Sequence, residues 1–339
     1  MKFSLTPIQF FLIIFLLQTG SVFITFQTRL LEGAGRNAWV VFIMTGILHY
    51  LLLLFYERQH SRFLPGPFVL LLYKMYWIYI NVLSLSNILY SLAIWLYPNT
   101  PSIVLLLFIV FVSFYANCCK PDTIINLPVI IIPAILIFFF SLVFVFPDLE
   151  WTWLFPLDLK DVELVLNGFL ISQVTVVGAA SFLFLRKRVV SDVKMIGWPI
   201  AIYASFWFLF FFMSLIVVQL FFPLETIAIV PQALLYLLKS QKVNFVERLD
   251  LFFLFIWMMW SMITVILFAF LIRLVHAETN SGKQYKFNLL IHMVFLLVPP
   301  FFATRDRLEM LREPLVYLHL TIVVVLPIFV FIKNRRKTI

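Results

Sequence analysis

The sequence predicts an all-α integral membrane protein of about ten transmembrane helices. Of its 339 residues, 63% are hydrophobic and 12% charged. Apolar runs of spanning length follow one another along the whole chain, and Gly and Pro punctuate the gaps between them. So little polar surface cannot coat a water-soluble chain of this size, and no gap has room for a separate catalytic or nucleic-acid-binding domain. Residues 1–339 therefore read as one polytopic transmembrane domain.

A spanning helix needs about 20 predominantly apolar residues, which places the first five at about 7–28, 38–56, 68–97, 101–118 and 124–146. The second five fall at about 162–185, 197–222, 249–272, 286–302 and 314–332. The first is uncleaved: the run after Lys2 continues past Gly20 with no small-residue cleavage site. Breakers separate the others, among them Gly33 and Gly35, Pro65 to Pro67, Pro98 to Pro101, Pro121, Pro147, Pro223 and Gly282. Leu224 to Leu238, which contains Pro231, is apolar but too short to span and reads as an interfacial or re-entrant helix.

The +9 net charge does not imply nucleic acid, because Lys and Arg sit in short loops instead of on one face. They set topology. Arg58 and Arg62, Arg186 to Arg188, and the tail from Lys333 through Arg335 to Lys337 share one side, which predicts a multi-pass inner-membrane protein with both termini cytoplasmic. On the other side, Trp151, Trp153, Asp158 and Asp161 make an interface anchor of the loop before the sixth helix. Adjacent Cys118 and Cys119 form neither a disulfide framework nor a metal spacing, and no cofactor is implied.

Inverted-repeat transporters break the first helix of each half at mid-membrane, where freed backbone groups face the ligand. Gly20 lies in the first helix beside Gln18, Thr19 and Ser21, and Gly178 in the sixth beyond Ser172, Gln173 and Thr175. The two clusters could face one small polar ligand. Equally, small residues let helices approach and hydroxyls bond back to their own helix. In the third helix, Asn81, Ser84, Asn87 and Ser91 form one polar stripe, a cavity wall or interhelical glue. The eighth opens with Glu247, Arg248, Leu249 and Asp250 and carries Trp257, Ser261 and Thr264 on one face. The candidate ligand-binding residues are thus Gln18, Thr19, Gly20, Ser21, Ser84, Asn87, Ser172, Gln173, Thr175, Gly178, Trp257 and Ser261.

No Asp, Glu or Arg is expected deep inside a helix, which weighs against ion-coupled transport and leaves His49, His292 and His319 as the candidate proton sites. Thr304 to Arg307 with Glu309 offers no base–nucleophile pair, so no enzyme is expected.

Glu32-Gly33-Ala34-Gly35-Arg36-Asn37-Ala38-Trp39 resembles the AGR-acid-AW signature of the spore germination B subunits, also called spore permeases, within the amino acid–polyamine–organocation superfamily. Glu247-Arg248-Leu249-Asp250 leading to Trp257 resembles the same family's start of the eighth helix, and the resemblance spans nearly the whole chain. Asn37 stands where an acid is common, Gln173 where Glu is expected, and the first helix lacks the family's proline near its outer end. The resemblance implies a LeuT-like fold of two inverted five-helix repeats, broken in helices 1 and 6, with a ligand among helices 1, 3, 6 and 8. It also implies a germinant receptor that triggers germination with an A subunit and a lipoprotein C subunit. The expected function is binding of a small nutrient, foremost an amino acid. A transporter using the same cavity and a structural subunit are the alternatives.

Overall fold

The computed structural model describes residues 3–190, 194–241, 248–279 and 284–334; Lys2, Glu247, Gly282 and the tail from Arg335 lie outside the described residues. The first spanning segment is split into α1 (Pro7–Thr19) and α2 (Phe26–Ala34) by the turns at residues 20–25. Thr6 starts it with a capping box: its hydroxyl accepts the Gln9 amide at 3.3 Å while Gln9 Oε1 accepts the Thr6 amide at 3.0 Å. Gly35, at φ +55°, re-aims the chain into α3 (Ala38–Gln59). Helices α4 (Pro67–Trp95), α5 (Ser102–Cys118) and α6 (Pro121–Ser141) complete the first half; Pro67 and Pro121 each sit at a helix start, where a missing N–H costs nothing.

The sixth segment is also interrupted: between α7 (Val162–Ser172) and α8 (Ser181–Leu185) the chain tightens into a 3₁₀ stretch, Gln173–Ala180. Then come α9 (Trp198–Phe221), the short α10 (Leu224–Ile227) and α11 (Ala233–Ser240), α12 (Leu249–Thr279) and α13 (Gln284–Leu297). Last, α14 (Arg305–Leu320) joins α15 (Leu326–Asn334) through a π turn, Thr321–Val325. Among the described residues, eight helical runs are long and apolar enough to cross a membrane, and the shorter apolar α1 and α5 accompany them. The architecture is that of an all-α integral membrane protein.

Burial shows what the breaks are for. Phe10 and every residue from Ile13 to Thr19 are buried, as are Val176 to Leu185, so the two interrupted segments form the protein's axis. Peripheral α5 turns Phe108, Phe111 and Tyr115 outward, apolar surface that only lipid can cover.

Two elements depart from expectation. Helix α14 begins at Arg305 instead of 314 and carries Pro314 inside it. Its polar first turns read as loop by composition because a lipid-facing helix is apolar; here they face charged partners on the protein instead. The stretch from Leu224 to Leu238 is two short helices, because Pro231 separates α10 from α11.

Candidate ligand-binding site

Each break releases backbone groups that, away from water, must find new partners. For α1 the donors lie on α12: Ser261 donates to the Gly20 carbonyl at 2.6 Å, and Thr264 donates at 2.9 Å to the Leu16 carbonyl, which also keeps its helical bond from the Gly20 amide at 2.9 Å. Residues three apart on one helix thus hold carbonyls four apart on another. The glycines make the approach close. A Cβ on Gly20 would overlap the Thr264 hydroxyl, and one on Gly178 would lie 2.7 Å from the Leu17 carbonyl carbon and 2.8 Å from the Gln18 nitrogen. Glycine here serves backbone-to-helix contact.

Above the break lies a narrow cleft of about 40 Å³ between α2, α4, the sixth segment and α14. Its polar walls are Ser21, Thr25, Ser84 and Asn87, and Arg29 and Arg312 line its outer end. Ser84 Oγ stands 2.9 Å from Ser21 Oγ and 2.8 Å from its own helix's Ile80 carbonyl. Asn87 spans two elements: its amide donates to the Ser21 carbonyl at 3.0 Å and its Oδ1 accepts from Arg312 at 2.7 Å.

The arginines add charge at the ends of helices expected to carry none deep inside, half-buried beside the mouth of the cleft. Arg29 lies on α2 and meets Glu309 at 2.8 Å; Arg312 meets the other oxygen of the same carboxylate at 2.7 Å. Arg305 and Glu32 approach at 3.9 Å just above. Arg29 falls one residue past the expected end of the first helix at about 28, and Arg312 two residues before the expected start of the tenth at about 314. A signal was present: Glu309 and Arg312, three apart, form an i, i+3 pair on a helix that begins at Arg305. A buried charge pair joins Glu57 on α3 to Arg186 at the C-terminal end of the sixth segment, bidentate at 2.7 and 2.9 Å.

Ser21, Ser84 and Asn87 come together at the cleft; the other candidates are distributed around it. Gln18 faces away, accepting from the Tyr203 hydroxyl and approaching His49 at 3.4 Å. Thr19 and Thr175 bond back to Phe15 and Ser172 carbonyls at 2.6 and 2.7 Å. Ser172 meets Thr45 of α3 at 2.5 Å. Gln173 lines a different hollow with His49 and His319, between α3 and the last segment. Trp257 is fully buried and not among the cleft's walls. The sixth segment presents Ile171, Val174 and Val177 to the cleft instead. The 3₁₀ geometry decides this, since residues three apart eclipse on one face and the polar residues between them turn elsewhere.

The histidines bond within the protein: His319 to the Tyr76 hydroxyl at 2.7 Å and His292 to Ser113 at 3.0 Å. Among the described residues, no group of three or more His, Cys, Asp or Glu is placed to hold a metal. At the outer end, Asn37 clamps the loop before α7, donating to the Asp158 carbonyl at 2.7 Å and accepting its amide at 3.0 Å, while Arg36 donates to the Phe155 carbonyl.

A broken axis helix, a polar cleft at the break and helical walls on every side are the arrangement of a permease-type membrane protein. No curated protein matches the chain. A family model described as spore germination protein, the spore permeases, matches residues 4–308, and the chain belongs to that family.

Proposed function

We propose that this protein is the B subunit of a germinant receptor. It binds a small nutrient in the cleft at the α1–α2 break and passes a change of helix position to A and lipoprotein C subunits. The observation that carries the reading is the convergence of Ser21, Thr25, Ser84 and Asn87 on one enclosed space beside a broken helix. With both termini cytoplasmic, the cleft lies in the outer half of the bilayer. The inner side is tied shut by the Glu57–Arg186 pair and by the backbone of Leu5, which accepts from Val190 at 3.2 Å and donates to Arg188 at 2.8 Å. A ligand shifts such a protein only by binding one conformer better than the other.

The test is germination of spores carrying Ser84→Ala or Asn87→Leu, across single amino acids, sugars and nucleosides, with solute release as readout. Changed nutrient selectivity at normal protein abundance supports sensing at this cleft. Selectivity identical to wild type in both variants sinks it. Uptake of the nutrient into proteoliposomes would move the reading to a transporter using the same cavity.

A further inference from the structure

The outer end of the cleft holds an anion receptor whose anion is the protein's own. Arg29 and Arg312 approach the two oxygens of the Glu309 carboxylate from different helices, at 2.8 and 2.7 Å. Both arginines line the cleft below and the charged mouth above, so their guanidinium groups form the boundary between the two. The mouth is lined by Arg29, Arg305 and Arg312 with Glu32 and Glu309, and the charge of Glu313 also acts on Arg29. Guanidinium groups seated in low dielectric require an anion, and a planar fork binds a carboxylate better than any neutral group.

Exposure separates the fixed half of this arrangement from the movable half. The Arg312 side chain is 11% exposed and Arg29 24%, whereas Glu309 is 39% exposed. Arg312 is also anchored from the cleft side by Asn87 Oδ1. The receptor is therefore held in place while the carboxylate that fills it can turn into water.

We propose that Glu309 is an internal stand-in for a ligand carboxylate: a nutrient bearing a carboxylate enters the cleft, takes the two guanidinium groups from below and releases Glu309 outward. The exchange conserves charge. It rests on the ligand-binding reading of the cleft and narrows the ligand to carboxylic acids, with Arg312 and Arg29 setting that preference. Because Glu309 and Arg312 share α14, the exchange reports occupancy to the last spanning segment. Asn87 links the same event to the Ser21 carbonyl at the break.

The experiment uses the full chain in lipid nanodiscs and titrates the common L-amino acids, their carboxamides, glucose and adenosine, reading thermal stabilisation and calorimetric affinity. The expected result is an amino acid whose carboxamide binds at least tenfold more weakly, bound at least tenfold more tightly by Glu309→Gln and tenfold more weakly by Arg312→Gln. If Glu309→Gln does not fold, Glu309→Asp retracts the carboxylate by one methylene with its charge intact and carries the same direction. Equal binding of acid and amide, or a sugar or nucleoside as the best ligand, overturns the exchange and leaves nutrient sensing standing. Unchanged affinity in the Glu309 variants overturns it as well. Binding of nothing in the panel overturns both readings together.

Discussion

Ser261 on α12 donates to the carbonyl of Gly20 at 2.6 Å, so the break in the first spanning segment is capped by a hydroxyl from another helix. Thr264 adds a second donor to the Leu16 carbonyl, which also accepts the Gly20 amide at 2.9 Å. Removing a donor from a buried carbonyl costs about 1–3 kcal/mol. Ser261→Ala is expected to lower the thermal midpoint in nanodiscs accordingly. Ser261→Ala with Thr264→Val should cost less than the sum of the two, because one relaxation of the break accommodates both. A Ser261→Ala midpoint equal to wild type would show that the carbonyl finds another donor and that α12 does not hold the break.

Gly178→Ala tests the close approach of the two axis segments. Its Cβ would meet the backbone of Leu17 and Gln18, which no side-chain rotation can move aside. Overpacking of this kind costs about 1–3 kcal/mol or more, so low abundance and a broadened size-exclusion peak are expected. Gly66→Ala is the control, since no atom lies within 4 Å of the added methyl and Gly66 sits at φ −75°. Similar losses in both variants would trace the defect to something other than this contact.

The prediction of a many-helix membrane protein rested on composition and spacing, which depend on lipid alone and are therefore legible in one chain. Gly20 and Gly178 were legible too, because few other residues permit such contacts. The division of polar residues was not. Ser172, Gln173 and Thr175 look equivalent in sequence, and only the 3₁₀ winding of Gln173–Ala180 sends Val174 and Val177 to the cleft in line with Ile171 of α7. Arg29, Glu309 and Arg312 are hidden for the opposite reason: a hydropathy criterion excludes charge from spanning segments, and these charges are tolerated because one carboxylate pairs with guanidinium groups from two helices.

Asn37 accounts for part of the signature that carries the family resemblance. Its side chain both donates to and accepts from the backbone of Asp158, a pattern an amide completes and a carboxylate cannot. Asn37→Asp would place a carboxylate oxygen against the Asp158 carbonyl and should loosen the loop from Leu149 to Asp161 by about 1–3 kcal/mol. Hydrogen exchange measured on that loop is expected to rise, with the spanning helices unchanged. Exchange equal to wild type would mean that Arg36, through Phe155, holds the loop alone.

Glu57 and Arg186 give the strongest test of direction. Both are buried, at 5% and 8% exposure, and their two hydrogen bonds form a bidentate pair between α3 and the sixth segment. Removing one partner takes the bidentate countercharge from a buried group, at a cost of about 3–5 kcal/mol. Glu57→Leu and Arg186→Met are each expected to lower stability by that order. The double substitution should recover much of it, because well-packed apolar side chains replace a buried pair at little cost. Recovery in stability without recovery of nutrient response would assign the pair to holding one conformer. Single and double variants destabilised in simple addition would instead show that the two charges are not coupled.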